Sequence, residues 1–384
     1  MAPVLSGLSP YEEETILKCL PTNIRVDMMT SSAAVKDGEN FMSVVTRVNV
    51  IGHDLDSGDK TTFSLIMKTL PQSVERRELF FCDAAFLNET EFYSEVAPRL
   101  GGDQKIPLPQ CLLAADDVIV LRDLRQDGFT TADRRAGLDL DHCLLVMKEL
   151  GKFHAMSFNM KKNDPSQFAQ LRTRATEVLI HEDNLILPAC IDNCISMALK
   201  VTDNHDLPVV NVLKSLLGSG VGALTPHLVP QEPMAVLCHG DLWSNNLLFR
   251  YLEGFSCPVD VCFLDLQGWR YASPALDILY FLFTSGAPSC HFRRLISAYH
   301  RCLGHVTLED IMIEVRKHVV FGLIMSLMVL PVITAGDGMA VNLDDVNQDN
   351  ILEFQDKLEE GFLNASYRKR VNEIFALVTA EKLI

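Results

Sequence analysis

The chain has 384 residues, of which 48% are hydrophobic and 22% are charged, and its formal net charge at pH 7 is −16. This composition is typical of a globular protein, and the length is long for one domain but natural for two lobes that share a cleft. The negative charge argues against a nucleic-acid or membrane-surface partner, because both surfaces attract clustered Lys and Arg.

The eleven cysteines are scattered singly, and the N-terminus lacks a charged and then apolar signal segment. An odd number of isolated cysteines predicts reduced thiols, and we therefore expect a cytoplasmic protein. The Asn-x-Ser/Thr sequons at Asn88 and Asn364 are interpreted as chance matches.

The first segments predict a short helix followed by a sheet. An amphipathic pattern within residues 1–22 predicts a helix that ends at Pro21. The turn at 31–43 lies where a loop that covers a nucleotide would lie, although an ordinary hairpin would look the same. Three β-type runs flank this turn or follow it, at Ile24–Thr30, Phe41–Ile51 and Thr61–Leu70.

Lys68 lies near the end of the third run, and a long helical pattern follows it at Val74–Leu100. A lone lysine of this kind commonly lies at a strand edge with its amine in water. Glu89 lies on the apolar face of the predicted helix, where a charge needs a partner. Lys68 and Glu89 are the natural pair, although the sequence leaves open whether Glu89 or Glu91 pairs with Lys68.

Two further strands are predicted at Pro107–Ala114 and Val118–Leu121, before a polar break. We place the boundary of an N-terminal lobe, 1–124, and a C-terminal lobe, 125–384, in this break, with a hinge at about 122–126. The C-terminal lobe is mostly helical in pattern, with helices predicted at 139–159, 169–180, 191–201, 273–283, 291–303, 308–330, 350–363 and 367–382.

One apolar stretch, Val319–Ile333, raises the question of a membrane span. It is shorter than the ~20 apolar residues that a span requires. Pro331 interrupts its end. We interpret it as a buried core helix and expect no membrane association, with a membrane anchor as the weaker alternative.

A polar loop between two apolar runs, within Val236–Phe249, contains His239, Asp241 and Asn246. Asp241 and Asn246 are five residues apart, which is the spacing of base and metal ligand in the catalytic loop of kinases. Asp265 then ends another apolar run. Taken alone, Asp241 would more safely be interpreted as a turn residue and Asn246 as a cap.

The chemistry of phosphoryl transfer matches these residue types. The reaction requires positioning and charge neutralisation, and carboxylate and amide oxygens suit magnesium. Asn246 and Asp265 offer such oxygens, and Asp241 remains as the acceptor for a hydroxyl proton. Lys68, earlier in the chain, offers the positive charge near the phosphates. Asp277 lies in an apolar run and needs backbone N–H groups or a cation as partners.

The chain resembles the ecdysteroid kinase-like family, whose relatives are the choline kinases and aminoglycoside phosphotransferases. The matching segments are His239-Gly-Asp-Leu-Trp-Ser-Asn-Asn246, Phe263-Leu-Asp-Leu-Gln267, Tyr271-Ala-Ser-Pro-Ala-Leu-Asp277 and Ile66-Met-Lys-Thr-Leu-Pro71. The resemblance implies an α+β, protein kinase-like bilobal fold. The small N-terminal lobe would hold an antiparallel sheet and one helix, and the larger C-terminal lobe would be mostly helical.

The resemblance also implies a reaction, the phosphorylation by ATP of a hydroxyl on a small, hydrophobic acceptor such as an ecdysteroid, another steroid or a xenobiotic alcohol. The cofactors would be ATP and Mg²⁺. The implied roles are Asp241 as catalytic base, Asn246 and Asp265 as magnesium ligands, Lys68 as phosphate-binding lysine with Glu89 as its partner, His239 as a brace of the loop and Asp277 as the support of its backbone.

Two departures from related patterns leave the catalytic groups in place. Leu266-Gln267 replaces the Phe-Gly that follows the metal-binding Asp of protein kinases, and Arg122 stands where relatives often have an acid. An active enzyme is therefore favoured over a catalytically silent nucleotide- or steroid-binding protein. A choline- or ethanolamine-type kinase is a further alternative, although its aromatic cage is hard to assemble with two Trp. No Ala-Pro-Glu-type segment follows Asp265, which disfavours a protein kinase.

Overall fold

The computed structural model describes residues 4–35, 42–101, 105–181, 183–184, 186–286, 289–335 and 363–384. A six-stranded sheet occupies the N-terminal part, and its strands are β1 Val4–Ser6, β2 Ile24–Ala33, β3 Val44–Asp54, β4 Lys60–Thr69, β5 Cys111–Ala114 and β6 Val118–Arg122. The spatial order is β1-β2-β3-β4-β6-β5. β1 pairs with β2 in parallel, and the other neighbours are antiparallel.

Buried and exposed residues alternate along β3, which shows that one face of the sheet is packed against other elements. Val48 and Val50 are fully buried while Asn49 between them is exposed, as the period of two in a half-buried strand requires. Helix α1, Pro10–Lys18, buries Ile16 in the same hydrophobic cluster. The sheet thus has a small core of its own, and Lys68 lies in its central strand β4.

The helical stretch between β4 and β5 is divided. It comprises α2 Val74–Leu79, α3 Cys82–Glu91, a π-helical turn Phe92–Val96 and α4 Ala97–Leu100. The expectation of one unbroken helix over Val74–Leu100 was wrong. Phe81 adopts a left-handed backbone with φ of 54°, which separates α2 from α3 and which the apolar pattern does not reveal.

Five short strands carry the polar loops of the second part: β7 Phe129–Thr131, β8 Val236–Cys238, β9 Leu247–Tyr251, β10 Pro258–Phe263 and β11 Arg270–Ala272. They form a three-stranded sheet, β10-β9-β7, and a two-stranded sheet, β11-β8. The loop with Asp241 therefore joins one small sheet to the other, and Asp265 lies two residues after the end of β10.

Helices make up most of the remaining described chain: α5 Leu140–Asn163, α6 Pro165–Arg172, α7 Leu187–Val201, α8 Pro208–Leu216, α9 Thr225–Leu228, α10 Ala275–Thr284, α11 Phe292–Leu303, α12 Leu308–Thr334 and α13 Ala365–Ala380. The helix expected at 169–180 ends instead at Arg172. Of the helix expected at 350–363, all residues before 363 lie outside the described part.

Helix α12 is, by length and composition, apolar enough to cross a membrane, but 72% of its most apolar window is buried inside the molecule. A Cβ at Gly322 would lie 2.5 Å from Leu279 Cβ, so α10 and α12 cross at close range. The packing is that of a core helix.

The predicted fold class is confirmed. The described chain is α+β, with an antiparallel arrangement in the N-terminal sheet and a larger, mostly helical C-terminal part.

Candidate active site

The polar loop after β8 makes a close backbone contact that only glycine permits. Gly240 has φ of +86°, and a Cβ there would lie 1.7 Å from the carbonyl oxygen of Gly268. The loop therefore lies directly against the short 3-10 turn Leu266–Gly268 that follows Asp265. Two distant segments of the sequence are brought into backbone contact by this pair of glycines.

Asp277, in the first turn of α10, holds the backbone of the loop. Its carboxylate accepts hydrogen bonds from the backbone N–H of His239 at 2.6 Å and of Gly240 at 2.9 Å. His154 Nε2 lies 3.1 Å from the same carboxylate. Burial by itself would raise the pKa of Asp277, but the hydrogen bond and charge of His154 and the backbone donors together lower it.

Asp241 is hydrogen-bonded at both carboxylate oxygens. Tyr280 donates its hydroxyl to Oδ1 at 2.9 Å, and Asn246 Nδ2 donates to Oδ2 at 2.9 Å. Burial and then the negative charge of Asp265 raise the pKa of Asp241 to about 6, although these two hydrogen bonds oppose the shift. The carboxylate is thus oriented from two sides and is more basic than an ordinary aspartate.

Asn246 connects the two acidic segments. Its Nδ2 also donates to the backbone carbonyl of Asp241 at 2.9 Å, and the backbone carbonyl of Asn246 accepts the N–H of Leu264 at 2.9 Å. Among the residues that the structure describes, no hydrogen bond reaches its Oδ1. Asn246 therefore ties the polar loop to the residue next to Asp265 through its backbone carbonyl, while its side-chain amide holds Asp241.

Asp265 has a left-handed backbone with φ of 67°, which is unusual for a residue other than glycine. Its Oδ1 accepts a hydrogen bond from Lys68 Nζ at 2.9 Å. Residues in sparsely populated backbone regions cluster at functional sites, where the surrounding structure holds them in place.

Lys68 lies between two carboxylates, those of Glu89 and Asp265. Lys68 is 5% exposed and Glu89 1% exposed. Burial would lower the pKa of Lys68, but the charges of Asp265 and Glu89 raise it above its ordinary value, so the lysine stays charged. Glu91 points away and lies 3.2 Å from Arg174. The structure thus places Glu89, and not Glu91, against Lys68.

His239 is fully buried beneath the loop that it was expected to brace. Its Nδ1 accepts the N–H of Asp241 at 3.3 Å, and its ring lies edge-on to Phe263 with centroids 6.0 Å apart. Burial lowers the pKa of His239 against the opposing charges of Asp277 and Asp265. A neutral ring can accept this hydrogen bond, which an imidazolium could not.

Two residues that the sequence analysis did not select also hold the site. Tyr280 lies three positions after Asp277 on α10, so helical spacing could have identified it. Asn88 was considered only as a chance sequon, yet it is 4% exposed and donates to the carbonyls of Gln267 and Trp269 at 2.8 and 3.2 Å. No local signal marks Asn88, because its partners are remote in the sequence.

The segment expected to act as a hinge is tied to the N-terminal sheet. Asp123 accepts hydrogen bonds from Arg47 Nε at 2.6 Å and Ser64 Oγ at 2.8 Å, and it caps the turn Leu124–Asp127. Arg122, the departure noted in the sequence, pairs with Asp127 at 2.8 Å. Of the expected nucleotide-covering turn at 31–43, residues 36–41 lie outside the described part.

Three solved structures illustrate what the chain is similar to. A choline kinase from Cryptosporidium parvum Iowa II has 13% identity and a TM-score of 0.49, and the match covers 97% of this chain and 99% of that chain. The GDP complex of wild-type aminoglycoside 2′-phosphotransferase-IIIa has 16% identity, a TM-score of 0.45 and coverage of 93% and 99%. An ethanolamine kinase from Plasmodium vivax has 13% identity, a TM-score of 0.40 and coverage of 82% and 80%.

A comparison with curated proteins found no match. The sequence profile of the ecdysteroid kinase-like family, in contrast, matches residues 37–312. This range is more than half of the chain, and it contains Lys68, Glu89, Asp265, Asp277 and the whole polar loop. The chain therefore belongs to the ecdysteroid kinase-like family.

Proposed function

We propose that this protein is an ATP-dependent kinase that transfers the γ-phosphate of ATP to a hydroxyl of a small, largely hydrophobic acceptor. The observation that carries the proposal is the convergence of Lys68 on both Glu89 and Asp265, beside the hydrogen-bonded pair of Asp241 and Asn246. Phosphoryl transfer requires positive charge near the phosphates, oxygen ligands for a metal ion and a group that accepts the hydroxyl proton. Lys68 offers the charge, and Asn246 and Asp265 offer the oxygens. Asp241, whose pKa is raised, offers the proton acceptor.

The donor set fits a magnesium ion. Asn246 offers Oδ1, because its Nδ2 faces Asp241. Asp265 contacts Lys68 through Oδ1, and its Oδ2 takes no hydrogen bond among the residues that the structure describes. Amide and carboxylate oxygens are ligands that magnesium prefers. A magnesium ion held by these two side chains would neutralise the charge of the ATP phosphates.

Asp241 serves as the proton acceptor in this proposal. The O–H bond of the acceptor hydroxyl breaks, its proton passes to Asp241, and its oxygen forms the new bond to the γ-phosphorus as ADP leaves. Tyr280 and Asn246 keep the carboxylate oriented toward that hydroxyl. Lys68 supplies positive charge for the phosphates, and Glu89 keeps the lysine in position.

The acceptor is assigned as an ecdysteroid, another steroid or a xenobiotic alcohol on the description of the family. Apolar side chains that could have lined a pocket do not decide this, since Phe281, Phe283 and Phe321 are at most 2% exposed and belong to the core. The division into lobes at residue 124, the cytoplasmic location, and the use of the 122–126 segment to bind adenine are parts of the same proposal.

The test is an acceptor screen with purified protein, Mg²⁺ and ATP. Ecdysteroids, sterols, hydroxylated xenobiotics and choline are the candidates, and mass spectrometry detects the gain of one phosphate. We expect Asp241→Asn to lower the turnover number by roughly 10²–10⁴-fold, the contribution of a positioned base. ATP affinity should change little. Asp203→Asn, at a side chain that is 66% exposed, is the matched control.

The alternative is a catalytically silent protein that binds a nucleotide or steroid without turnover. It predicts ATP binding, no phosphorylated product from any candidate, and no difference between the wild-type protein and Asp241→Asn. Phosphorylation of choline alone, and not of the apolar alcohols, would instead support a choline-type kinase.

A further inference from the structure

Arg270, the first residue of β11, is a buried cation beside the polar loop that the proposed reaction does not use. It is 4% exposed, and it pairs across the small sheet with Cys238, the last residue of β8. Its guanidinium lies over Phe321, 5.9 Å from the ring centre. Burial raises the pKa of Asp241 and Tyr280, and the charge of Arg270 opposes both shifts, so this charge acts on the polar loop.

The side chain of Arg270 holds the turn that follows Asp265. Its Nε donates a hydrogen bond to the carbonyl of Gly268 at 3.2 Å. This is the carbonyl that lies against Gly240, where a Cβ would be only 1.7 Å away. Gly240 directly precedes Asp241. Arg270 therefore acts, through one carbonyl, on the backbone that carries the proposed proton acceptor.

Glu177 is the carboxylate, among the described residues, that lies within ion-pair distance of Arg270. Its Oε2 is 3.3 Å from Nη1 of the guanidinium. The side chains of Arg270 and Glu177 are 5% and 23% exposed, so water and salt screen this pair less than a surface pair. Neither Nη atom forms a hydrogen bond within the described part of the chain. Loss of Glu177 would therefore leave a buried charge without its counter-charge, which is costly.

Glu177 belongs to residues 174–180, a segment between α6 and α7 that packs against the same turn. Its Oε1 accepts the N–H groups of Leu179 at 3.0 Å and Ile180 at 2.8 Å. Leu179 contacts the turn, because a Cβ at Gly268 would lie 3.0 Å from its Cδ1. One carboxylate thus shapes the segment with one oxygen and faces Arg270 with the other.

The other end of residues 174–180 contacts the N-terminal part of the structure. Arg174 lies 3.2 Å from Glu91, the last residue of α3, and 3.6 Å from Glu95 in the π-helical turn. These pairs are partly exposed and each contributes little stability. They nevertheless place the segment between α3 and the turn after Asp265.

We propose that Arg270 is a positioning residue for the phosphoryl transfer, which it serves by holding the turn after Asp265 against the polar loop. Glu177 keeps the guanidinium in place and links residues 174–180 to this turn. The role rests on the proposed function. Loss of Arg270 leaves the groups that bind ATP in place but lets the polar loop shift, and a displacement of about 1 Å at a reacting centre costs roughly 10²-fold in rate.

Arg270→Met removes the guanidinium and keeps an unbranched side chain over Phe321. Turnover is measured with ATP, Mg²⁺ and an ecdysteroid, or the alcohol that the screen identifies. We expect the turnover number per folded molecule to fall at least tenfold, with the KM for ATP within threefold of the wild-type value. Arg270→Lys keeps the charge and should recover at least threefold in turnover. Arg172→Met is the control, because Arg172 also lies over an aromatic ring, that of Tyr271 at 5.9 Å, but is 44% exposed.

Hydrogen exchange tests the contacts without any substrate. Peptides that contain Ile180 and Trp269 report on the segment and on the turn, because the N–H of Ile180 is bonded to Glu177 and that of Trp269 closes the turn. We expect exchange in both peptides to be at least fivefold faster in Arg270→Met than in the wild-type protein, and unchanged in Arg172→Met.

A double-mutant cycle tests the ion pair. Glu177→Gln removes the charge and keeps an oxygen for the N–H groups of Leu179 and Ile180. Alone it should lower turnover at least threefold, and in the Arg270→Met background it should have no further effect, because two partners of one pair are not independent. Losses that multiply would show that Glu177 does not act through Arg270.

Thermal unfolding measures the folded fraction of each variant at the assay temperature, and turnover is expressed per folded molecule. If Arg270→Met does not fold, Arg270→Lys and Glu177→Gln are measured in its place, and both should then show lowered turnover and faster exchange. Wild-type turnover or unchanged exchange in these variants would overturn the positioning role.

Failure of the proposed function gives a different result. A wild-type protein that phosphorylates no acceptor contradicts the proposed function, and the exchange measurement still tests the contacts of Arg270. An active wild-type protein together with an equally active Arg270→Met contradicts only the positioning role.

Discussion

Asp241 illustrates how single residues set the chemistry of the site. A carboxylate that is desolvated binds its proton more tightly, while hydrogen bonds from Tyr280 and Asn246 favour the ionised form. The balance is a pKa of about 6, close enough to neutrality for a proton acceptor that is mostly ionised at pH 7.

We expect kcat/KM to fall about tenfold per pH unit below pH 6, because the base must be ionised to accept a proton. Tyr280→Phe removes a hydrogen bond that lowers the pKa of Asp241, so the acidic limb should move to higher pH. The pH–rate profiles of both proteins measure this. Tyr251→Phe, whose hydroxyl instead lies 2.7 Å from His142 Nε2, is the control. An acidic limb that does not move in Tyr280→Phe would contradict this role of Tyr280.

The second prediction at the scale of one residue concerns the contribution of Asp277 to stability. Asp277→Ala leaves the N–H groups of His239 and Gly240 buried without an acceptor, and we expect it to lower the free energy of unfolding at pH 7 by about 3 kcal/mol. Urea unfolding measures this loss. Asp203→Ala, at an exposed side chain, should cost no more than about 0.5 kcal/mol.

The pH dependence of this loss has a definite sign. The folded protein lowers the pKa of Asp277 below its ordinary value of 3.8. Its contribution is therefore present above the unfolded pKa and is lost as the pH falls through the folded value. The difference between the wild-type protein and Asp277→Ala should shrink in acid. A difference that grows below pH 4 would contradict the assignment.

Among the elements, the polar loop and the 3-10 turn after Asp265 act as one unit, because their backbones touch at Gly240 and Gly268. Asp277 binds the loop from α10, and Asn88 binds the turn from α3. Two helices, α10 and α3, thereby help to position Asp241 and Asp265.

This contact predicts different costs for two glycines with similar backbones. Gly58 has φ of +77° with nothing within 4 Å of an added Cβ, so Gly58→Ala should cost only the left-handed backbone penalty of roughly 1–2 kcal/mol. Gly240→Ala adds a clash with a backbone carbonyl and should cost at least twice as much or prevent folding. Chemical unfolding and the yield of soluble protein measure the stability of both variants. Equal losses of unfolding free energy would show that the loop moves to accommodate the added Cβ at Gly240.

At the scale of the whole molecule, the eleven cysteines test the expectation of reduced thiols. All eleven lie in the described part of the chain and none forms a disulfide there, and Cys257 and Cys290 are exposed. Burial raises the pKa of deeply placed thiols such as Cys238, which slows their reaction further. We expect two fast-reacting thiols with Ellman's reagent in the native protein, and eleven in urea without reductant.

A variant with Cys257→Ser and Cys290→Ser should lose the fast phase. Fewer than eleven thiols in urea without reductant would mean that some cysteines are oxidised, which contradicts the expectation.

The sequence by itself determined the fold class and the family. Its alternating apolar residues specify strands such as β3, and the string from His239 to Asn246 is dense enough in specific residue types to indicate one family. It also identified Glu89 as a charge that needs a partner, because an acid on the apolar face of a helix is recognisable from spacing alone.

Only the tertiary structure decided which groups meet. That Lys68 contacts Asp265 as well as Glu89, that Tyr280 bonds Asp241, and that Asn88 holds the turn after Asp265 are results of packing between segments up to 197 residues apart. The sequence also did not predict the π-helical turn or the left-handed backbone of Phe81. Apolar spacing specifies the buried face of a helix, but hydrogen-bond register along its backbone is decided by what packs against it.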